Sequence, residues 1–221
     1  MKSLFPALLS NLIFAAILFT GAGTLHYWPA WIYLATSVLM SLATHLVLRR
    51  NPELLAERRR PGPDAKPWDK KLLGLGFLLT IFMLVVAGLD AGRYHWSPRL
   101  AWPWSVAGVL LVLAGMAIFL LALNENRFFS SVVRIQRDRG HTVCDSGPYR
   151  VVRHPGNAGM IVGTLGLPLL LLSAWSAIPA LLFVGLMIVR TRLEDTALEN
   201  ELAGYRDYQR ATRYRLVPGL W

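Results

Sequence analysis

The stretch "LLGLGFLLTIFMLVVAGL" (residues 72–89) decides the fold class. It runs without one charged side chain, at about the length (roughly 20 residues) that a helix needs to cross the hydrocarbon core of a bilayer. Outward from it, Leu4–Leu25, Trp31–Leu48 and Pro103–Leu123 repeat the pattern. Leu4–Leu25 is read as a span rather than a cleaved leader, because its apolar run is long and no A-x-A site follows. Two shorter apolar stretches, Ile161–Leu172 and Ile178–Val189, flank Ser173-Ala174-Trp175-Ser176. They read as a tight helical hairpin. Only 16% of the residues are charged and 54% are hydrophobic, whereas a soluble domain carries about 25% charged residues. The expectation is an all-α integral membrane protein of about six transmembrane helices, the last two a short hairpin, with a cytoplasmic amphipathic C-terminal helix. Residues 1–123 form an N-terminal membrane region of four helices with a basic loop at 49–71, and residues 124–221 form a second region rich in polar groups.

The formal net charge of +10 invites a nucleic-acid reading, and the location of the charge excludes it. Of the 23 Lys and Arg residues, only Arg93 and Arg99 fall on one side of a six-span arrangement with both termini on the other. Lys2, the 49–71 loop, the 124–154 loop and the C-terminal segment hold the rest. That asymmetry is the positive-inside pattern, so both termini and the two long loops are expected in the cytoplasm. The excess charge faces anionic lipid head groups. The one cysteine, Cys144, allows no intramolecular disulfide.

Within the basic loop, Asn51 is the expected N-cap and Pro52 the first residue of a short helix. The pair Leu54-Leu55 is expected on the membrane surface with Arg58–Arg60 reaching lipid phosphates, before a break at Pro61-Gly62-Pro63. On the opposite side, Tyr94, Trp96, Trp102 and Trp104 form an interfacial aromatic belt. No two of the five histidines have i, i+4 or H-x-x-x-H spacing, so the sequence supports no metal site.

Polar residues concentrate in two blocks, 124–157 and 190–214. In the first, "GPYRVVRHPG" (residues 147–156) places Arg150, Arg153 and His154 between two Pro-containing turns, donors suited to a carboxylate or phosphate. Pro155 starts a helix whose first amides are free for an anion. The second block, "RTRLEDTALENELAGYRDYQRATRYRLVPGLW" (residues 190–221), reads as a helix running out of the last span, broken near Gly204. Leu193, Ala197, Leu198, Leu202 and Tyr205 give it an apolar stripe. Glu194 and Asp195 offer acceptors for hydroxyls or an ammonium group. Gly163, Gly166 and Pro168 suit either tight helix packing or the lining of a lateral tunnel for a lipid tail.

"HTVCDSGPYRVVRHPGNAG" (residues 141–159), followed by "RTRLED" (190–195) and a closing "GYRDYQRATRYRLVPGLW", resembles the isoprenylcysteine carboxyl methyltransferase family, which is itself similar to the phospholipid N-methyltransferases. The loop "NPELLAERRRPGPDAKPWDK" is similar to the matching loop of bacterial relatives. The resemblance implies an S-adenosylmethionine-dependent methyltransferase of the bacterial inner membrane, its active site cytoplasmic, releasing S-adenosylhomocysteine. It implies cofactor contacts at Gln136, His141, Thr142, Val143, Cys144, Tyr149, Arg153, His154, Pro155, Gly156, Asn157 and Glu194. Catalytic roles fall to Arg190, at the substrate end, and Glu194. The methyl acceptor is lipophilic or small, with a carboxylate, thiol or amine. Asn157 departs from the pattern, since the family has an aromatic residue there. Asp195 stands where the family has Glu.

Two other readings compete. A nicotinamide-dependent sterol reductase shares an R-H-P-N segment and an acidic C-terminal helix, but the chain has no G-x-G-x-x-G fingerprint. A non-catalytic transporter or assembly protein conflicts with the clustering of ionisable groups at one face rather than at mid-bilayer.

Overall fold

The computed structural model describes residues 4–62 and 64–221. Lys2 and Pro63, which entered the charge count and the expected loop break, lie outside them. The chain runs through α1 (Leu4–Ala22), α2 (Trp28–Arg49), α3 (Pro52–Arg59), α4 (Pro67–Ala87), α5 (Trp102–Glu125), α6 (Pro155–Leu170), α7 (Ala177–Glu201) and α8 (Tyr205–Ala211). No strand occurs among the described residues. Proline opens most of these helices: α2, α3, α4, α5 and α6 each carry one in their first two positions, where the missing amide donor is no loss.

Four helices are long and apolar enough to cross a membrane: α1, α2, α5, and α4 with its extension to Tyr94. Their outer faces present leucines such as Leu78, Leu110 and Leu121, each about 60% exposed, as a lipid-facing surface requires. The expected hairpin is present as α6 and α7. α6 has only 16 residues, whereas α7 continues unbroken for 25, past Val189 to Glu201. The helix thus carries its polar half out of the bundle, and Gly204 ends the run in a left-handed conformation (φ 80°) before α8. The interfacial aromatics Tyr94, Trp96, Trp102 and Trp104 are exposed as expected.

Two features fix the bundle. Beyond Ala87, α4 widens into a π-helical turn (Gly88–Tyr94), closed by His95 at positive φ. Asp90 on that turn is fully buried and accepts hydrogen bonds from the Ser97 amide (2.7 Å) and the hydroxyls of Ser97 (2.5 Å) and Ser173 (2.6 Å). The turn is thereby fastened to the tip of the α6–α7 hairpin. The second feature is the α5–α6 seam. A Cβ on Gly108 would stand 2.6 Å from the Gly166 carbonyl, and one on Gly115 would stand 2.4 Å from the Gly163 amide. Only glycine lets two backbones approach so closely.

Two expectations need correction. Leu54 does not lie on the membrane surface: it is 1% exposed and packs with Leu48 and Leu123, because α3, capped by Asn51 through the Leu54 amide (3.0 Å), folds back onto the bundle end. Leu193 is exposed. The packed face of α7's polar half runs instead through Thr191, Asp195, Leu198 and Leu202, toward Tyr149, Tyr205 and Tyr208.

Candidate active site

Both polar blocks meet at the bundle end that bears α3. Asp195 sits at their centre, 1% exposed. Arg153 grips it with Nε and Nη2 (2.8 and 2.9 Å). His154 Nε2 (3.0 Å), the Tyr205 hydroxyl (2.8 Å) and Arg215 Nε (2.8 Å) complete its shell. Burial alone would raise this carboxyl's pKa, but the hydrogen bonds from His154, Arg153 and Tyr205 outweigh it and hold the group far below the usual carboxylate range. Arg153 Nη1 also donates to the carbonyls of Thr212 (2.8 Å) and Arg213 (2.7 Å). The amides of Arg153 and His154 donate to Tyr214 and Arg215, so the R-H-P segment and the C-terminal tail form one unit.

One helical turn earlier on α7 lies a second network. Asn157 Nδ2 donates to Thr191 Oγ1 (3.1 Å) and Glu194 Oε2 (2.9 Å), and its Oδ1 accepts from Arg190 Nη1 (3.0 Å). The residue that departs from the family pattern is therefore a three-way bridge, making two donations and one acceptance from one carboxamide, whereas a tyrosine has a single O–H to donate. Arg190 Nε donates to Asp69 Oδ1 (2.8 Å). Asp69 itself is fully buried in the first turn of α4, and its Oδ2 accepts the Val133 amide (2.7 Å). Glu194 Oε1 has no protein partner among the described residues, and the side chain keeps 24% exposure.

These networks line a cavity of about 590 Å³. At one end stand His141, Thr142, Val143 and Cys144, with Tyr149, His154, Gly156, Asn157, Glu194 and Arg190. The cavity then continues into the bundle, where Asn11, Tyr33, Ser37, Val112, Gly163 and Leu167 form its walls. His141 stacks on Phe128 (4.6 Å between ring centres), and its Nδ1 accepts the Gln136 amide (3.2 Å). Burial, reinforced by Arg134 and Arg139, lowers its pKa to about 4. It is thus a neutral ring at pH 7, with its proton on Nε2. Burial also raises the Cys144 thiol.

Most of the residues singled out in the sequence therefore share one cavity wall. Gln136 and Pro155 do not. Gln136 is fully buried, bonded to the Phe128 carbonyl (2.7 Å) and to Arg139, and it shapes the loop beneath His141. The expected basic cradle also divides. Arg150 points to the exposed surface, whereas Arg153 lines the cavity with its donors turned to Asp195 and the tail. Asp69 went unnoticed in the sequence, because it is one of four acids in the 49–71 loop, with Glu53, Glu57 and Asp64, and nothing local in "PWDKK" sets it apart.

A helical membrane protein with a polar-ended cavity opening into its bundle is the class these observations define. Residues 106–200 match the model of the isoprenylcysteine carboxyl methyltransferase (ICMT) family, which bears out the resemblance over that stretch. Two curated relatives, each described as a probable protein-S-isoprenylcysteine O-methyltransferase, come from Oryza sativa subsp. indica and subsp. japonica. Each is 32% identical over 78 residues, covering 35% of this chain. The chain spans 41% of the length of these relatives.

Proposed function

We propose that the protein is an integral membrane S-adenosylmethionine-dependent methyltransferase that methylates a carboxylate, thiol or amine on a lipophilic or small acceptor, at the cytoplasmic face of a bacterial inner membrane. The observation that carries this is that the motif residues and residues of the bundle interior line one cavity. Its volume, about 590 Å³, falls among sites for drug-sized ligands, roughly 300–1,000 Å³. The donor set fits a zwitterionic nucleoside. Glu194 Oε1 offers a free carboxylate oxygen for an ammonium or a hydroxyl, and neutral His141 offers an N–H.

When bound, the cofactor supplies a methyl group on a sulfonium. The protein's part is to hold an acceptor in line with that group. Arg190, fixed by Asp69 and Asn157, stands where α7 passes from apolar to polar and can orient an acceptor's oxygen. A carboxylate acceptor needs no base, since it is already ionised. Phe129, Tyr149, Leu198 and Leu202 on the wall keep water from the polar end, which strengthens every charge contact there.

Calorimetry of the detergent-purified protein with S-adenosylhomocysteine, and with NADPH in parallel, tests the reading. Saturable binding of S-adenosylhomocysteine, weakened at least tenfold in Glu194→Gln and His154→Ala, is expected. Binding of NADPH alone would transfer the site to the reductase class, and binding of neither would remove the enzyme reading.

A further inference from the structure

Four arginines line the cavity: Arg58, Arg134, Arg153 and Arg190. Three are neutralised by a carboxylate. Arg134 forks onto Glu57 (2.8 and 2.7 Å) and also meets Asp138. Arg153 forks onto Asp195, and Arg190 bonds Asp69. Arg58 differs. Its guanidinium has one hydrogen bond, from Nη1 to the Phe129 carbonyl (3.1 Å), and lies over the Phe129 ring at 5.6 Å. No carboxylate contacts it among the described residues. It sits on α3, outside the 106–200 stretch that the family model covers, and it points inward where the sequence suggested lipid phosphates.

A half-buried guanidinium draws an anionic partner, because desolvation makes an uncompensated charge expensive. The setting is built rather than incidental. Phe129 holds Arg58 on its face, meets Phe119 edge-on at 5.3 Å, and packs against Gly156, where a Cβ would stand 2.5 Å from the ring. Arg58 is thereby tied to the R-H-P-G turn and the N-terminus of α6, whose amides favour negative charge. A planar fork with free donors in such a site matches a carboxylate better than a point cation would.

We propose that Arg58 is the anion-recognition residue of this cavity and that it takes a ligand carboxylate. The site rests on the geometry of Arg58 alone. The source of the carboxylate, either the cofactor's amino-acid moiety or the acceptor, rests on the methyltransferase reading. The test uses two matched pairs of probes on the full chain by calorimetry. One pair is S-adenosylhomocysteine and its decarboxylated analogue. The other is N-acetyl-S-farnesylcysteine and its carboxamide.

Wild type should prefer the acid in at least one pair. Arg58→Met should cost that acid at least tenfold in affinity and leave its carboxylate-free counterpart unchanged. Arg58→Lys should recover part of the loss. Loss confined to the first pair assigns the cofactor carboxylate to Arg58, and loss confined to the second assigns the acceptor's. If wild type ignores S-adenosylhomocysteine but still prefers the farnesylcysteine acid in an Arg58-dependent way, the methyltransferase reading fails and the anion site stands. Equal binding of acid and counterpart by wild type, or unchanged acid binding in Arg58→Met, overturns the proposal. Helical circular dichroism and a monodisperse elution profile confirm that each variant folds; should Arg58→Met fail these, Arg58→Gln takes its place.

Discussion

At the residue scale, the chemistry depends on which charges already have partners. Asp195 is closed on every side, whereas Glu194, its neighbour, offers an oxygen to the cavity. The two acids of the pair should therefore respond differently to neutralisation. Asp195→Asn removes the counter-charge of Arg153 and Arg215, and breaking a buried pair costs about 3–5 kcal/mol; thermal denaturation in detergent should show a large fall in Tm. Glu194→Gln should leave Tm nearly unchanged and lose ligand. His141 supplies a pH dependence. Its folded pKa of about 4 lies below its ordinary 6.5, so the folded state binds fewer protons than the unfolded one between those values. Stability must rise with pH across that window and level off above it. His141→Gln should differ most from wild type in Tm at neutral pH, and the gap should close by about pH 4. A gap independent of pH would remove the buried, neutral ring from the account. The motif residues were legible in the sequence because the resemblance points at them. The bond between Arg190 and Asp69 was not, since the partners lie 121 positions apart and no local pattern couples them.

At the element scale, apolar run length predicted α1, α2, α4 and α5, and turn chemistry predicted the Asn51 cap and the Gly204 break. Both are local signals, and local physics decides them. The inward rotation of α3 was hidden, because "PELLAERR" has as many polar as apolar faces and only packing on Leu48 and Leu123 selects one. The glycines of α5 and α6 divide the two roles that the sequence left open. Gly166 belongs to the seam, where an added Cβ would meet the Gly108 carbonyl at 2.7 Å, but Gly163 has nothing within 4 Å and lines the cavity. Gly115→Ala should thus destabilise the protein by about 1–3 kcal/mol through overpacking. Gly163→Val should fold and narrow the chamber, weakening a lipophilic ligand such as N-acetyl-S-farnesylcysteine more than S-adenosylhomocysteine. Equal losses for both ligands would contradict an acceptor chamber at that position.

At the scale of the whole molecule, charge asymmetry sets orientation. α4 carries Asp69 at one end and Asp90 at the other, about 30 Å apart for the residues between them, so the polar networks mark the two faces of the membrane. The face with Asp69, α3 and the cavity mouth is the one rich in arginine, and on the positive-inside rule we propose that it faces the cytoplasm. A fluorescent protein fused at the C-terminus should glow, and alkaline phosphatase fused there should be inactive, whereas phosphatase placed at residues 97–99 should be active. The opposite pattern would move the whole site to the outside. The reach of the cavity into α1 and α2 lay beyond any reading of the sequence, because it depends on how four helices splay rather than on what each contains.

The α5–α6 seam has a mechanical consequence. Two backbones in direct contact can neither slide nor part without many interlocked atoms moving together, so this side of the chamber behaves as a fixed jamb. The opposite side is made of side chains from α1 and α2, such as Phe14, Tyr33 and Met40, which have rotamers where the seam has only backbone. Where the wall must yield to a long ligand, side chains can give way there, and the backbone-to-backbone seam cannot.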